Sequence, residues 1–298
     1  MRYHITHTTH YQYAAPVGRC YNLAHTAPRD TERQTCLHSR IHLKPDAGFS
    51  NERLDYFGNR VFYFAIPDSH RELTITAESE LLMHPQPTAL ALDFGTSCQE
   101  ALQQMRYSRL PEVLLAREYC LNSPMIRPFE ALRAYAQSSF SPDRPLLAAV
   151  RELSARIYQD FKYDPGFTNL TTPLEQVLEH KRGVCQDFAH LAIACLRALG
   201  YPARYVSGYL ETLPPPGQVK MIGADASHAW FAVYSPGEGW FEFDPTNNQI
   251  PAGQHIVTAW GRDYSDVTPL SGVIFGGGDS HQLSVGVTVA RLSESRTS

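Results

Sequence analysis

The spacing of apolar and polar positions divides the chain into three stretches. From residue 1 to about 85 the pattern has a period of two. Tyr3 to Tyr13, Cys36 to Leu43, Arg60 to Ile66 and Leu73 to Ala77 interleave Thr, Tyr, Val, Ile and Phe with polar residues, and APV, KPDAG, FGN and IPD punctuate them. That spacing predicts an antiparallel β domain. A looser connector runs from Pro85 to Pro111, with a short helix expected around Cys98 to Met105. The period then lengthens. Pro128 to Gln137, Arg144 to Phe161 and Thr171 to Glu179 carry apolar residues at helical spacing, and each opens near a proline, which suits a first helical turn. A further helix begins at Cys185 and stops at Gly200, with Pro202 just beyond. Phe188, Leu191, Ala192, Cys195, Leu196 and Leu199 cover most of its circumference, so it is expected to be the buried central helix.

After Gly200 the period of two returns in ARYVSGYL, HAWFAVY, WFEFDPT and, near the end, SVGVTVARL. Helices followed by an antiparallel sheet predict an α+β fold. The expected division is a β-rich domain over residues 1–95 and a core over 96–298, with the last strand, about 282–291, available to pack back onto the β domain. Between Leu213 and Ser227 the run LPPPGQVKMIGADAS is too long for a simple connection and is a candidate substrate-facing flap, an idle surface loop being the alternative. The tail SESRTS is expected to be disordered.

Composition narrows the function classes. A chain of 298 residues, 43% hydrophobic and 19% charged, has ample core for a globular protein. Its net charge of -4 is spread without a basic run, which argues against a nucleic-acid partner. No stretch reads as a secretory signal, and the most apolar helix is interrupted by His190 and Arg197, so neither a membrane span nor a membrane partner is expected; a soluble, cytoplasmic protein is. The cysteines at 20, 36, 98, 120, 185 and 195 form no CxxC pair, which argues against a disulfide scaffold and a zinc site. His4, His7 and His10 suggest a metal at first sight. On a strand, positions 4 and 10 face one way and 7 the other, so the three cannot converge, and solvent-facing histidines are expected instead. No metal and no cofactor is predicted.

The candidate chemistry centres on residues 183–199, GVCQDFAHLAIACLRAL. Gly183 gives backbone freedom ahead of the helix, and Cys185 sits where orphan amides and the helix dipole favour a thiolate if a cation lies nearby. His228 opens one strand and Asp244 closes the next, with SPGEG between. If Ser235 to Gly239 form a five-residue loop, Tyr234 faces Trp240, and His228 and Asp244 share one face as diagonal neighbours; an even loop would separate them. Cys185, His228 and Asp244 would then supply a nucleophile, a base and an orienting carboxylate. The Cys185 N–H would meet the oxyanion, with Tyr163 a guess for the second donor. Each has a plain structural alternative: a core cysteine, a strand histidine, a turn-forming Asp-Pro. Cys195 reads as core.

Together, the stretch from TPLEQ to VSGYL around Cys185 and the later SHAWFAVYSPGEGWFEFDPTNN resemble the bacterial transglutaminase-like superfamily. TTHYQYAAPV and DYFGNRVFYFAIPDSH resemble the β-rich N-terminal region that accompanies that core. The resemblance implies a papain-like fold with its nucleophile at Cys185, its base at His228 and its acid at Asp244, and GRDYSDV at 261–267 implies that Asp263, Tyr264 or Asp266 lies near the site. Tyr163, Asp225 and Tyr264 are the candidate substrate-binding residues. The animal transglutaminases place an oxyanion-stabilising tryptophan upstream of the nucleophile, whereas Trp230, Trp240 and Trp260 all lie downstream, and no acidic calcium loop is present, so calcium-dependent cross-linking is not implied. The expected activity is hydrolysis of an amide or peptide bond in a peptide or protein substrate through a thioester. The alternatives are acyl transfer to an amine and a non-catalytic peptide-binding protein.

Overall fold

The computed structural model describes residues 1–85, 92–212 and 225–292. The predicted flap, apart from Asp225, Ala226 and Ser227, and the tail SESRTS lie outside the described residues. The first part of the chain forms β1 (Arg2–Ala24), β2 (Gln34–Lys44), β3 (Phe49–Leu54), β4 (Arg60–Ile66) and β5 (His70–Met83). Helices follow as α1 (Cys98–Tyr107), α2 (Pro111–Arg117), α3 (Glu130–Gln137) and α4 (Leu146–Asp160). The short strand β6 (Lys162–Tyr163), α5 (Leu174–His180) and the short strand β7 (Arg182–Gly183) lead into α6 (Cys185–Leu199). Then come β8 (Ala203–Leu210), β9 (Ala226–Ser235), β10 (Gly239–Phe243), β11 (His255–Gly261), β12 (Leu270–Gly276) and β13 (His281–Leu292). The class is α+β, as the periodicity predicts.

Two antiparallel sheets organise these elements. The larger runs β2-β5-β1-β4-β3, with β12 and β13 also paired to β1; the smaller runs β10-β9-β8-β11. β1 is far longer than expected because APV does not end it. Pro16 cannot donate to a ladder, so the pairing with β5 jumps from Gln12 to Val17 and the strand continues. Its first half pairs with β5 and β13, its second with β4 and β12.

α6 is the buried centre of the helical layer: Asp187 through Arg197 are all buried, and Gly200 ends the helix at φ 93°, a conformation that favours glycine. Ala203 and Tyr205 of β8 join the α6 core, while Val206 faces the opposite side with Trp230, Trp240 and Trp260. The smaller sheet is thus covered on both faces. Tyr3, Ile5, Leu81 and Met83 pack with Tyr209, Ile256, Val287 and Val289, joining the two sheets. Glu211 reinforces that seam: it takes both guanidinium arms of Arg291 at 2.7 Å and the Tyr3 hydroxyl at 2.9 Å.

His7 is not solvent-facing. It is 3% exposed and 2.9 Å from the Tyr209 hydroxyl, and burial pushes its imidazole down to about 4. His4 and His10 point to the other face, where His10 meets Thr74 at 2.9 Å. No helix among the described residues is long and apolar enough to cross a membrane.

Candidate active site

The start of α6 is fixed by a side chain folding back on its own backbone. Asp187 Oδ2 accepts the Val184 N–H at 2.8 Å and the Thr168 hydroxyl at 2.6 Å. That hook explains Gly183, since a Cβ there would lie 2.8 Å from Asp187 Oδ2 and 2.9 Å from its Cβ. The glycine is needed for close approach, not for the backbone freedom the sequence suggested. Cys185, half-buried, becomes the first residue of the helix.

The β9–β10 hairpin has the register expected of a five-residue loop, with Tyr234 opposite Trp240, although pairing continues one step further to Ser235 and Gly239. His228 and Asp244 meet. The Nε2 of His228 lies 2.8 Å from Asp244 Oδ2, and Cys185 lines the same cavity as this imidazole, close enough to help raise its pKa. Asp244 is fully buried and crowded with donors. Its Oδ1 accepts the backbone N–H groups of Thr246 and Asn247 at 2.9 and 3.2 Å, and its Oδ2 also takes Asn247 Nδ2 at 2.7 Å and His255 Nε2 at 3.0 Å.

Electrostatics follow from this crowding. Burial works against a charged His228, but the hydrogen bonds and charges of Asp244 and Cys185 outweigh it and raise the imidazole from 6.5 to about 10. Burial likewise opposes ionisation of Asp244, and its bonds to His228, His255 and Asn247 prevail, holding the carboxyl well below the usual range. At neutral pH the pair is therefore an imidazolium beside a carboxylate. The ligating atoms of His228, Asp244 and His255 lie within 4.8 Å of one another, a spacing that would also admit a metal ion. Hydrogen bonding of both imidazoles to one carboxylate oxygen accounts for it.

Cys185 and His228 open onto a cavity of about 470 Å³ between the two sheets. Tyr205, Ser207 and Tyr264 line it from the core side; His7, Thr9 and Tyr11 of β1 and Leu283, Val285 and Val287 of β13 line it from the other. Tyr264 is thus at the site. Asp225 also lines the cavity, but its carboxylate binds Thr212 N–H and hydroxyl at 2.8 and 2.6 Å and the Val289 N–H at 2.7 Å, tying β13 to the end of β8. Tyr163 does not line it. It is 53% exposed on β6, paired with Gly183, and burial together with the charge of Cys185 raises its phenol. Asp263 and Asp266 serve the scaffold, Asp263 accepting Ser265 and Met125 N–H groups and Asp266 holding Arg262. The sequence did not point to His255, Asn247 or Tyr205, and it pointed to His7 only as a solvent-facing strand histidine. Asn247, three residues past Asp244 in an Asp-Pro turn, carried a local signal; the others come together only through strand pairing.

Residues 3–81 match the bacterial transglutaminase-like N-terminal region, and residues 133–245 match the transglutaminase-like superfamily. The chain belongs to the transglutaminase-like superfamily. Cys185, His228 and Asp244 of this transglutaminase-like chain all fall inside the second match, whereas His255 and Tyr264 lie beyond it. An uncharacterized protein of Mycobacterium tuberculosis is 42% identical over 294 residues, covering 97% of this chain and 92% of its own length. A protein-glutamine gamma-glutamyltransferase of Pseudomonas aeruginosa is 29% identical over 136 residues, covering 42% of this chain and 20% of that enzyme. A solved structure from Cytophaga hutchinsonii, provisionally described as a cysteine protease, covers 100% of this chain and 92% of its own at 23% identity with a TM-score of 0.73, which shows the shared fold.

Proposed function

We propose that the protein hydrolyses an amide or peptide bond through a thioester on Cys185. The observation that carries this reading is His228, which lines one cavity with Cys185 and is hydrogen-bonded to buried Asp244. Such an imidazolium can give its proton to a leaving amine and, once neutral, take one from an attacking water. Cys185 Sγ attacks the carbonyl carbon; the oxyanion forms at the amino end of α6, where first-turn N–H groups have no helical acceptor. The C–N bond then breaks as His228 protonates the amine. Water, deprotonated by His228, cleaves the thioester and restores Cys185. Residues 1–95, read as a β-rich domain beside a core of 96–298, would form the far wall of the substrate cleft. Six free cysteines suit a reducing, cytoplasmic setting.

Acyl transfer to an amine is the second reading, favoured by the likeness to the Pseudomonas enzyme over 42% of the chain. Both share the acyl-enzyme and differ in what takes the acyl group. The test incubates the protein and its Cys185→Ala variant with glutamine-containing peptides, with and without a labelled primary amine. Ammonia or peptide release that requires Cys185, with no label incorporated, supports hydrolysis; incorporated label supports transfer. Unchanged iodoacetamide labelling in the variant would remove Cys185 as the nucleophile.

A further inference from the structure

The face of the smaller sheet turned away from α6 carries an unusual cation. Arg204 of β8 is 8% exposed, with its guanidinium carbon 3.7 Å from the Trp260 ring centre and 4.3 Å from that of Trp240. Both flat faces of the guanidinium are therefore covered, and only its in-plane N–H groups remain to bond. Among the described residues none of them reaches an acceptor, and Nε is wholly buried without a partner. The acid whose field reaches it from the sheet, Glu242, is engaged by Arg33 and by the Trp230 ring N–H at 2.8 Å. Arg29 adds a second guanidinium on the other face of Trp260, 3.2 Å from the ring centre.

Arg204 borders a cavity of about 630 Å³ walled by Trp240, Tyr119, Tyr234, Tyr56 and Phe57. The Tyr119 and Tyr234 rings meet Trp240 edge-on or tilted at 5.0 and 5.4 Å. Among the described residues no lining residue is shared with the Cys185 cavity, because neighbouring residues of β8 point to opposite faces: Arg204 to this cavity, Tyr205 to the other. Two acids also line it, both from α2 and the turn after it. Glu118 is occupied by the Tyr56 hydroxyl at 2.7 Å, and Glu112 is exposed. The cavity thus has a cationic side on the sheet and an anionic side on the helix.

We propose that this cavity is a second, non-catalytic binding site for a small aromatic carboxylate, with the carboxylate taken in plane by Arg204 and the ring seated against Trp240, Tyr119 and Tyr234. A planar carboxylate is the acceptor that matches two parallel N–H donors, and leaving a buried charged donor set unpaired is costly. The volume falls within the usual range of small-molecule sites. Nothing in this proposal depends on the chemistry assigned to Cys185.

The protein holds three tryptophans, and Trp230, Trp240 and Trp260 all pack on this face, so intrinsic fluorescence reports on it directly. The full chain is titrated with 3-phenylpropionate, with 3-phenylpropan-1-ol, which keeps the ring but loses the charge, and with acetate, which keeps the charge but loses the ring. None contains a bond that the cysteine chemistry would cleave. Saturable binding of 3-phenylpropionate is expected, with both other probes at least about tenfold weaker, as the loss of a charge-assisted pair or of ring burial implies. Arg204→Gln should bring the acid down to the affinity of the alcohol. Equal affinity for acid and alcohol in the unaltered protein, no saturable change at millimolar concentration, or full affinity in a folded Arg204→Gln variant would each overturn the proposal. The probe comparison stands even if the variant fails to fold.

Discussion

Asp244→Asn keeps the shape of the side chain and removes its charge, and so asks what holds the proton on His228. The rise from 6.5 to about 10 is worth about 5 kcal/mol, at about 1.4 kcal/mol for each tenfold. Burial pulls the other way, and four attractions overcome it: a hydrogen bond and a charge from each of Asp244 and Cys185, with the Asp244 bond the largest. Losing both Asp244 contributions removes at least half of the net rise, which should lower the imidazole by about two pH units or more. Two assays read this. The ring signals of His228 can be followed by NMR, and the rate of Cys185 alkylation by iodoacetamide can be followed from about pH 5 to about pH 11, where loss of the His228 proton gives the upper inflection. The other cysteines interfere little: Cys20, Cys98 and Cys195 are buried, and burial raises the thiols of Cys36 and Cys120. An unmoved inflection in a variant that keeps its circular dichroism would refute the reasoning, because it would mean that Asp244 does not govern His228.

His255→Ala removes one of the donors on Asp244 Oδ2 and should cost about 1–3 kcal/mol in urea unfolding while slowing Cys185 alkylation at neutral pH. Gly208→Ala would place a Cβ 1.9 Å from the Ile256 carbonyl oxygen and 2.7 Å from the Trp230 ring, forcing β8 and β11 apart; a loss of about 3 kcal/mol or more is expected by denaturant titration. Stability should also peak near neutral pH. Burial holds His7 and His190 at about 4, so the unfolded chain binds their protons first and stability falls as the pH drops from 6.5 towards 4, by up to about 3 kcal/mol for each. His228 acts in the opposite sense, its contribution complete below 6.5 and lost as the pH rises through about 10. Thermal midpoints that climb steadily from pH 7 to pH 4 would contradict this assignment of the buried histidines.

What could be read from the sequence was what short-range physics determines. The Cys185 helix was legible at both ends, because its stop signals, Gly200 and Pro202, act within a turn of the places they mark. The meeting of His228 with Asp244 was legible by counting outward from the SPGEG turn, since a hairpin register is set by its loop. β11 and β12 were not legible. β11 is buried almost throughout and β12 is mostly exposed, so neither shows the alternation on which strand recognition depends. Missing β11 also hid His255, whose bond to Asp244 exists only because β11 pairs with β8, some fifty residues earlier in the chain.

Arg204 makes the same point from the opposite direction. In ARYVSGYL an arginine at an alternate position reads as the polar, outward face of a half-exposed strand. That inference fails because the outward face is covered by Trp240 from β10 and Trp260 from β11, and a strand pattern carries no information about what a later segment lays over it. The same covering turns an ordinary surface cation into a buried one whose donors face an aromatic cavity. Chemistry at Cys185 could be anticipated because its partners lie on neighbouring elements, whereas chemistry at Arg204 arises only when three strands and α2 close around it.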